Sequence, residues 1–169
     1  DQVLVFFATG LTKRIEQAQR EGFEWIVPKN HITLKAGLIP GEVSINATRF
    51  HGNGLDERDL SRAVIEIRKQ AYNVYEFLKK YVRGFEKAVF LEVAPKLGIR
   101  ETRRMIGEYI LSDRDVRSEA RFDDAIGLSN CPIDIHDPAG DKAVMDNVGG
   151  GYGIPYRCLV PRDVDGLLL

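Results

Sequence analysis

Leu60, Ala63, Val64, Ile67, Ala71, Val74, Leu78 and Tyr81 recur at steps of three and four, the spacing of one face of an α-helix. No other periodic signal in the chain is as strong. Asp56, with Asp59 three residues on, supplies an N-cap and negative charge where the helix dipole favours it, and Gly84 is the expected stop. At ~1.5 Å per residue, a helix over residues 60–82 is about 33 Å long, enough to cross a whole sheet face. Such a stripe has to be covered by other parts of the chain, so the stripe is read as core and no ligand contact is assigned to it.

The rest of the sequence supplies the material for a sheet. Residues 2–8 are almost wholly apolar and read as a strand, buried on both faces or lying at an edge. Thr9 and Thr12 offer N-cap oxygens to a helix over 13–21, which Gly22 ends; Ile15 and Ala18 alone form its stripe, so it is expected to be peripheral and weakly held. Residues 31–35 and 42–50 alternate and are expected to pair antiparallel, joined across Ala36 to Gly41. In the second run Val43, Ile45 and Ala47 share one face. Ser44, Asn46 and Thr48 share the other, with Arg49 breaking the pattern, and this polar row is either a solvated face or the lining of a cleft.

Further on, 87–94 and 105–111 read as neighbouring antiparallel strands joined through the turn residues Pro95 and Gly98. Ser112 and Asp115 form a capping box for a short helix, and 121–127 reads as one more helical turn. Residues 133–137 alternate like a strand with one wet face. Residues 137–151 are polar and glycine-rich and read as a mobile loop. Residues 152–161 suit an edge or entering strand because two prolines interrupt them. The fold class expected is α+β, a mostly antiparallel sheet braced by one long helix, in a single domain over 1–169.

Charge excludes one class of partner. The 169 residues carry 24 Lys and Arg against 25 Asp and Glu, so there is no basic excess with which to neutralise phosphates, and nucleic acid is not expected. No stretch is long and apolar enough to span a bilayer and none has the pattern of a signal peptide. No membrane partner is therefore expected, and a cytoplasmic setting is the default. Cys131 and Cys158 have no CxxC spacing and read as small buried hydrophobes. No serine stands in a nucleophile elbow. Residues 149–153 are rich in glycine, but Ile154-Pro155-Tyr156 follows where a phosphate loop needs a helix N-terminus. His136 lies between Asp134 and Asp137, yet His31 and His51 have no spacing that ties them to it, so no metal site is expected.

The densest chemistry lies at 98–112, where Arg100, Arg103 and Arg104 stand among Glu101 and Glu108. Strand alternation would put Arg103, Met105 and Tyr109 on one face and Arg104, Ile106 and Ile110 on the other. Each face then pairs a guanidinium with hydrophobes. That suits either internal ion pairs or a cationic wall for an anionic ligand. His136 beside carboxylates suits proton transfer or a purely structural role, and Tyr156 and Arg157 stand side by side near the C-terminal end.

Four blocks in order, GIRETRRMIGEYILSDRDV, RFDDAIG, CPIDIHDP and GIPYRCLVP, resemble the later part of a broad family of bacterial FAD-dependent oxidoreductases, some of whose members are labelled xanthan lyase-related. Residues 1–86 resemble it less sharply, chiefly in ITLKAGLIPGEVSINATRFHGNGLDERDLSRA. The resemblance implies the substrate or cap domain of a two-domain flavoprotein. It implies FAD in the intact protein and none bound by this stretch alone. It also implies a missing FAD-binding domain of the same polypeptide as partner and a small-molecule substrate of unknown identity. Opening at Asp1 and ending on an apolar Gly-Leu-Leu-Leu, the chain is expected to be an excised middle piece, truncated at both ends and inactive alone. His136, Arg103 and Tyr156 are the catalytic candidates, and Arg100, Arg104, Arg157, Asn46 and Arg49 the substrate-binding ones. The competing expectation is a free-standing, non-enzymatic binding module; in either case exposed strands could pair two copies as a homodimer.

Overall fold

The computed structural model describes residues 7–136, 143–146 and 149–168, excluding the side chains of residues 135, 136 and 143–145. The chain divides into two compact units, the first holding the described residues up to Arg100 and the second those from Glu101 onwards. The fold is α+β.

The first unit contains β1 (Phe7–Gly10), α1 (Thr12–Arg20), β2 (Ile32–Ala36), β3 (Val43–Asn46) and α2 (Glu57–Tyr81). The three strands form an antiparallel sheet in the order β1-β2-β3. Phe7 lies opposite Lys35, and Leu34 opposite Ile45. Alternation sends Ile32 and Leu34 into the core, where they join Ile15, Ala18, Val27, Ala47, Val74, Phe77 and Leu78. Phe77 is 0% exposed, its ring 5.1 Å from that of Trp25, 5.6 Å from Tyr81 and 6.1 Å from Phe23. The 25-residue α2 is the long helix expected, with Asp56 accepting from the backbone N–H groups of Arg58 and Asp59 at 2.8 and 3.0 Å. The hairpin of β2 and β3 also forms as expected, although Val43 and Ile45 are each 39% exposed.

Three expectations fail in this unit. Neither Thr9 nor Thr12 caps α1; Leu11 stands at its N-cap in the left-handed region, at φ 70°, and makes no side-chain cap bond. The same helix is not peripheral, since Ile15 and Ala18 are 1% and 0% exposed and lie in the main core. Two well-placed apolar residues suffice when both lie in one cluster with Val74, Phe77 and Leu78 of the long helix. Residues 87–94 form no strand. The Tyr75 hydroxyl donates to the Ala88 carbonyl at 3.3 Å, and the Phe90 ring meets Tyr75 and Tyr72 at 5.5 and 6.4 Å, so packing on α2 has replaced ladder pairing.

The second unit contains α3 (Asp113–Arg117), β4 (Ala125–Ser129), β5 (Ile133–His136), β6 (Ala143–Asp146), β7 (Tyr152–Pro155) and a 3₁₀ turn, Tyr156–Cys158. β4 pairs antiparallel with β7, and β5 with β6. The capping box forms as read, with Ser112 and Asp115 exchanging bonds at the start of α3. Arg117 joins the end of α3 to Asp113 at 2.8 Å and also pairs with Asp146 of β6.

Residues 105–111 are not a strand; a single bridge links Gly107 to Pro161. The chain crosses there too tightly for a ladder. A Cβ on Gly107 would lie 3.0 Å from the carbonyl oxygens of Cys158 and Tyr109, and the bridge is made by the flanking N–H groups of Glu108 and Arg162, which donate to the carbonyls of Val160 and Ile106 at 2.9 and 3.0 Å. Residues 121–127, expected to form one more helical turn, are not helical, and Ala125–Ser129 are β4 instead. The expected loop over 137–151 contains β6, and its residues 137–142, 147 and 148 lie outside the described residues. Among the described residues no helix is long and apolar enough to cross a membrane.

Candidate functional site

Tyr156 and Arg157 come off the end of β7 into the 3₁₀ turn because Pro155 closes the strand and the Leu159 N–H bonds back to the Tyr156 carbonyl at 2.8 Å. The turn is fastened to the segment before β4. Asp124 accepts from the backbone N–H of Arg157 at 3.2 Å, and its own carbonyl accepts from the Tyr156 N–H at 2.9 Å. The Asp124 side chain also takes Nε of Arg157 at 2.9 Å and Nη2 at 3.3 Å. The guanidinium lies over the Tyr109 ring, 5.0 Å from its centroid, and Phe122 meets that ring edge-on at 5.3 Å.

Arg121, Phe122, Asp123, Asp124, Tyr156 and Arg157 line an open depression of about 550 Å³. Arg121 is held at its rim by a bond from Nη1 to the Gly151 carbonyl at 2.8 Å. Tyr156 is 41% exposed, and the Arg157 side chain is 46% exposed.

Electrostatics follow the contacts. The Arg157 guanidinium holds the Asp124 carboxyl below its ordinary range, and Asp124 in turn raises Arg157. Behind them the Tyr109 hydroxyl donates to Asp115 at 2.9 Å, and Ser112 donates from Oγ at 2.6 Å and from its backbone N at 2.9 Å. The Ser112 bonds are the chief cause that lowers Asp115. The bond to Asp115 raises the Tyr109 phenol. Tyr109 is thus a neutral support for the arginine.

The other candidates are placed elsewhere. Arg104 pairs with Glu101 at 2.8 Å, both side chains largely in solvent. Arg100 and Arg103 are exposed on the same irregular stretch, which leaves the expected two-faced arrangement without a strand to carry it. Asn46 ends β3 on the outer sheet face, opposite Thr33, which is opposite Thr9; the hydroxyls of Thr9 and Thr33 are 3.1 Å apart. The backbone of Arg49 is clasped by the buried side chain of Gln70, which accepts from its N–H and donates to its carbonyl, both at 2.9 Å. His136 ends β5 opposite Ala143, and its side chain lies outside the described residues, as does Asp137.

The sequence does not single out Asp124 and Tyr109, the partners of Arg157, or Arg121, which lines the same depression. Asp124 lies 33 residues away in sequence, and nothing local announces the pairing; the block RFDDAIG was the available signal, having been picked out without a role. Among the described residues no group of three His, Cys, Asp or Glu side chains is placed to hold a metal.

The glycine-rich turn at 149–151 tests the fit of a nucleotide phosphate. Gly150 donates its N–H to Glu119 Oε1 at 2.6 Å. A Cβ on Gly149 or Gly150 would meet the Glu119 carboxylate oxygens at 2.6 and 2.5 Å. The space over the turn is filled by the chain's own carboxylate, so the turn does not fit a flavin pyrophosphate.

A family model described as FAD dependent oxidoreductase matches residues 6–169. No curated protein matches the chain, and no solved structure does.

Proposed function

The chain belongs to the FAD dependent oxidoreductase family, and from that premise we propose that it is the substrate-side region of such an enzyme, with the FAD-binding part of the same polypeptide as its partner. FAD, when bound, supplies the electron transfer. The share of this chain is to grip and orient a small molecule and to keep water from it.

The observation that carries the reading is the depression of the second unit, where an arginine fixed in plane stands beside a tyrosine and a second arginine. A positioned guanidinium and phenol suit recognition of an oxygen-bearing substrate. Within the second unit, Tyr156 is proposed to touch the reacting substrate and Arg157 to bind it.

The test is rapid-mixing reduction of the FAD-loaded protein containing this chain. Tyr156→Phe and Arg157→Lys are expected to raise the substrate concentration for half-maximal flavin reduction while leaving the flavin content at one per chain. Loss of flavin from both variants, or reduction kinetics identical to the parent in both, would count against the substrate-side reading.

A further inference from the structure

A guanidinium has two edges that each present a parallel pair of N–H donors. One is the side edge of Nε and Nη2, the other the end edge of Nη1 and Nη2. Asp124 occupies the side edge of Arg157, with contacts at 2.9 and 3.3 Å, and Tyr109 covers one face of the group. The end edge has no partner among the described residues, while the side chain remains 46% exposed at the depression. We propose that this end edge, held in plane by Asp124 and Tyr109, is the receiving fork for a planar carboxylate on the ligand of the depression.

Asp124 and Tyr109 are positioning residues in this arrangement. They take up the freedom that a long side chain would otherwise lose on binding, so less is lost when the carboxylate docks. Charge does little of the selecting. Asp123 and Asp124 line the same depression as Arg121 and Arg157, so the two signs balance and bulk attraction for anions is small. Geometry selects instead: a flat oxyanion can accept two parallel bonds from the fork, and a spherical anion cannot. Tyr156 adds a hydroxyl at the rim, and Arg121 keeps donors beyond the one given to Gly151. Calling the ligand a substrate rests on the function proposed above; the existence of the fork does not.

The test is titration of the full 169-residue chain with sodium acetate, and separately with sodium chloride at equal ionic strength, followed by the Arg157 Nε–H and Tyr156 amide NMR signals. The parent chain is expected to show saturable shifts with acetate and a preference for acetate over chloride of at least about tenfold, or about 1.4 kcal/mol. Arg157→Lys keeps the charge and loses the fork. Asp124→Asn removes a negative charge and frees the guanidinium. Both are expected to bring the preference close to unity, read at the Tyr156 amide, although Asp124→Asn strengthens attraction for anions in general. Equal shifts with chloride in the parent chain, or a preference retained in Arg157→Lys, overturns the proposal. The parent titration decides alone should a variant fail to fold. Acetate selectivity in the parent, together with unaltered flavin reduction by Arg157→Lys in the FAD-loaded protein, keeps the fork and discards the substrate reading.

Discussion

Asp115 holds together the support behind the depression. Its carboxylate accepts from Ser112 twice and from Tyr109 once, and each bond favours the charged form. Because the folded pKa is depressed, the associated stability is present above the ordinary carboxylate range, about pH 4, and is lost as pH falls through the lowered value. A carboxyl-carbon NMR titration is expected to find Asp115 titrating below a free aspartate, and Ser112→Ala is expected to move it up. An Asp115 that titrates at the ordinary value in the parent chain would contradict the cap as described. A second prediction concerns Gln70, 7% exposed, whose amide serves both backbone groups of Arg49. Gln70→Ala strands that donor and that acceptor and is expected to cost about 1–3 kcal/mol in urea unfolding. A change under about 0.5 kcal/mol, the range of ordinary surface substitutions, would contradict the clasp.

At the scale of elements, α2 and its packing carry the first unit. Phe77→Ala is expected to destabilise by about 3–5 kcal/mol in the same unfolding experiment, since the ring is fully enclosed by Phe23, Trp25 and Tyr81. Gly107→Ala makes the corresponding test of the second unit. Its added methyl meets backbone oxygens, which cannot swing aside, so a loss of about 1–3 kcal/mol is expected; an unchanged stability would argue against the tight crossing at Pro161. What the sequence disclosed follows the same division. Asp56, Ser112 and the stripe of α2 were legible because caps and helical faces are local, set by residues three or four apart. Residues 87–94 and 105–111 misled because β-prone composition says only that a segment fits a pleated surface. Phe90 found Tyr72 and Tyr75 instead, and Gly107 met the turn after β7. The partnership of Arg157 with Asp124 was hidden for the same reason, as a contact between segments far apart in sequence.

For the whole molecule, the family is fixed by a match that runs from residue 6 to residue 169, whereas the role within the family rests on what the surface offers. The glycine-rich turn illustrates the difference. By composition it invites a phosphate, yet it already holds the Glu119 carboxylate. The depression in the same unit offers an arginine whose plane is set and whose end edge has no partner among the described residues. On the function proposed above, the substrate is gripped here and the flavin is held by other residues. Titration of FAD into the purified 169-residue chain, followed by flavin absorbance and fluorescence, tests that separation most directly. The account predicts no saturable change at equimolar FAD; one equivalent of flavin retained through gel filtration, with a protein-bound absorbance band, would contradict it.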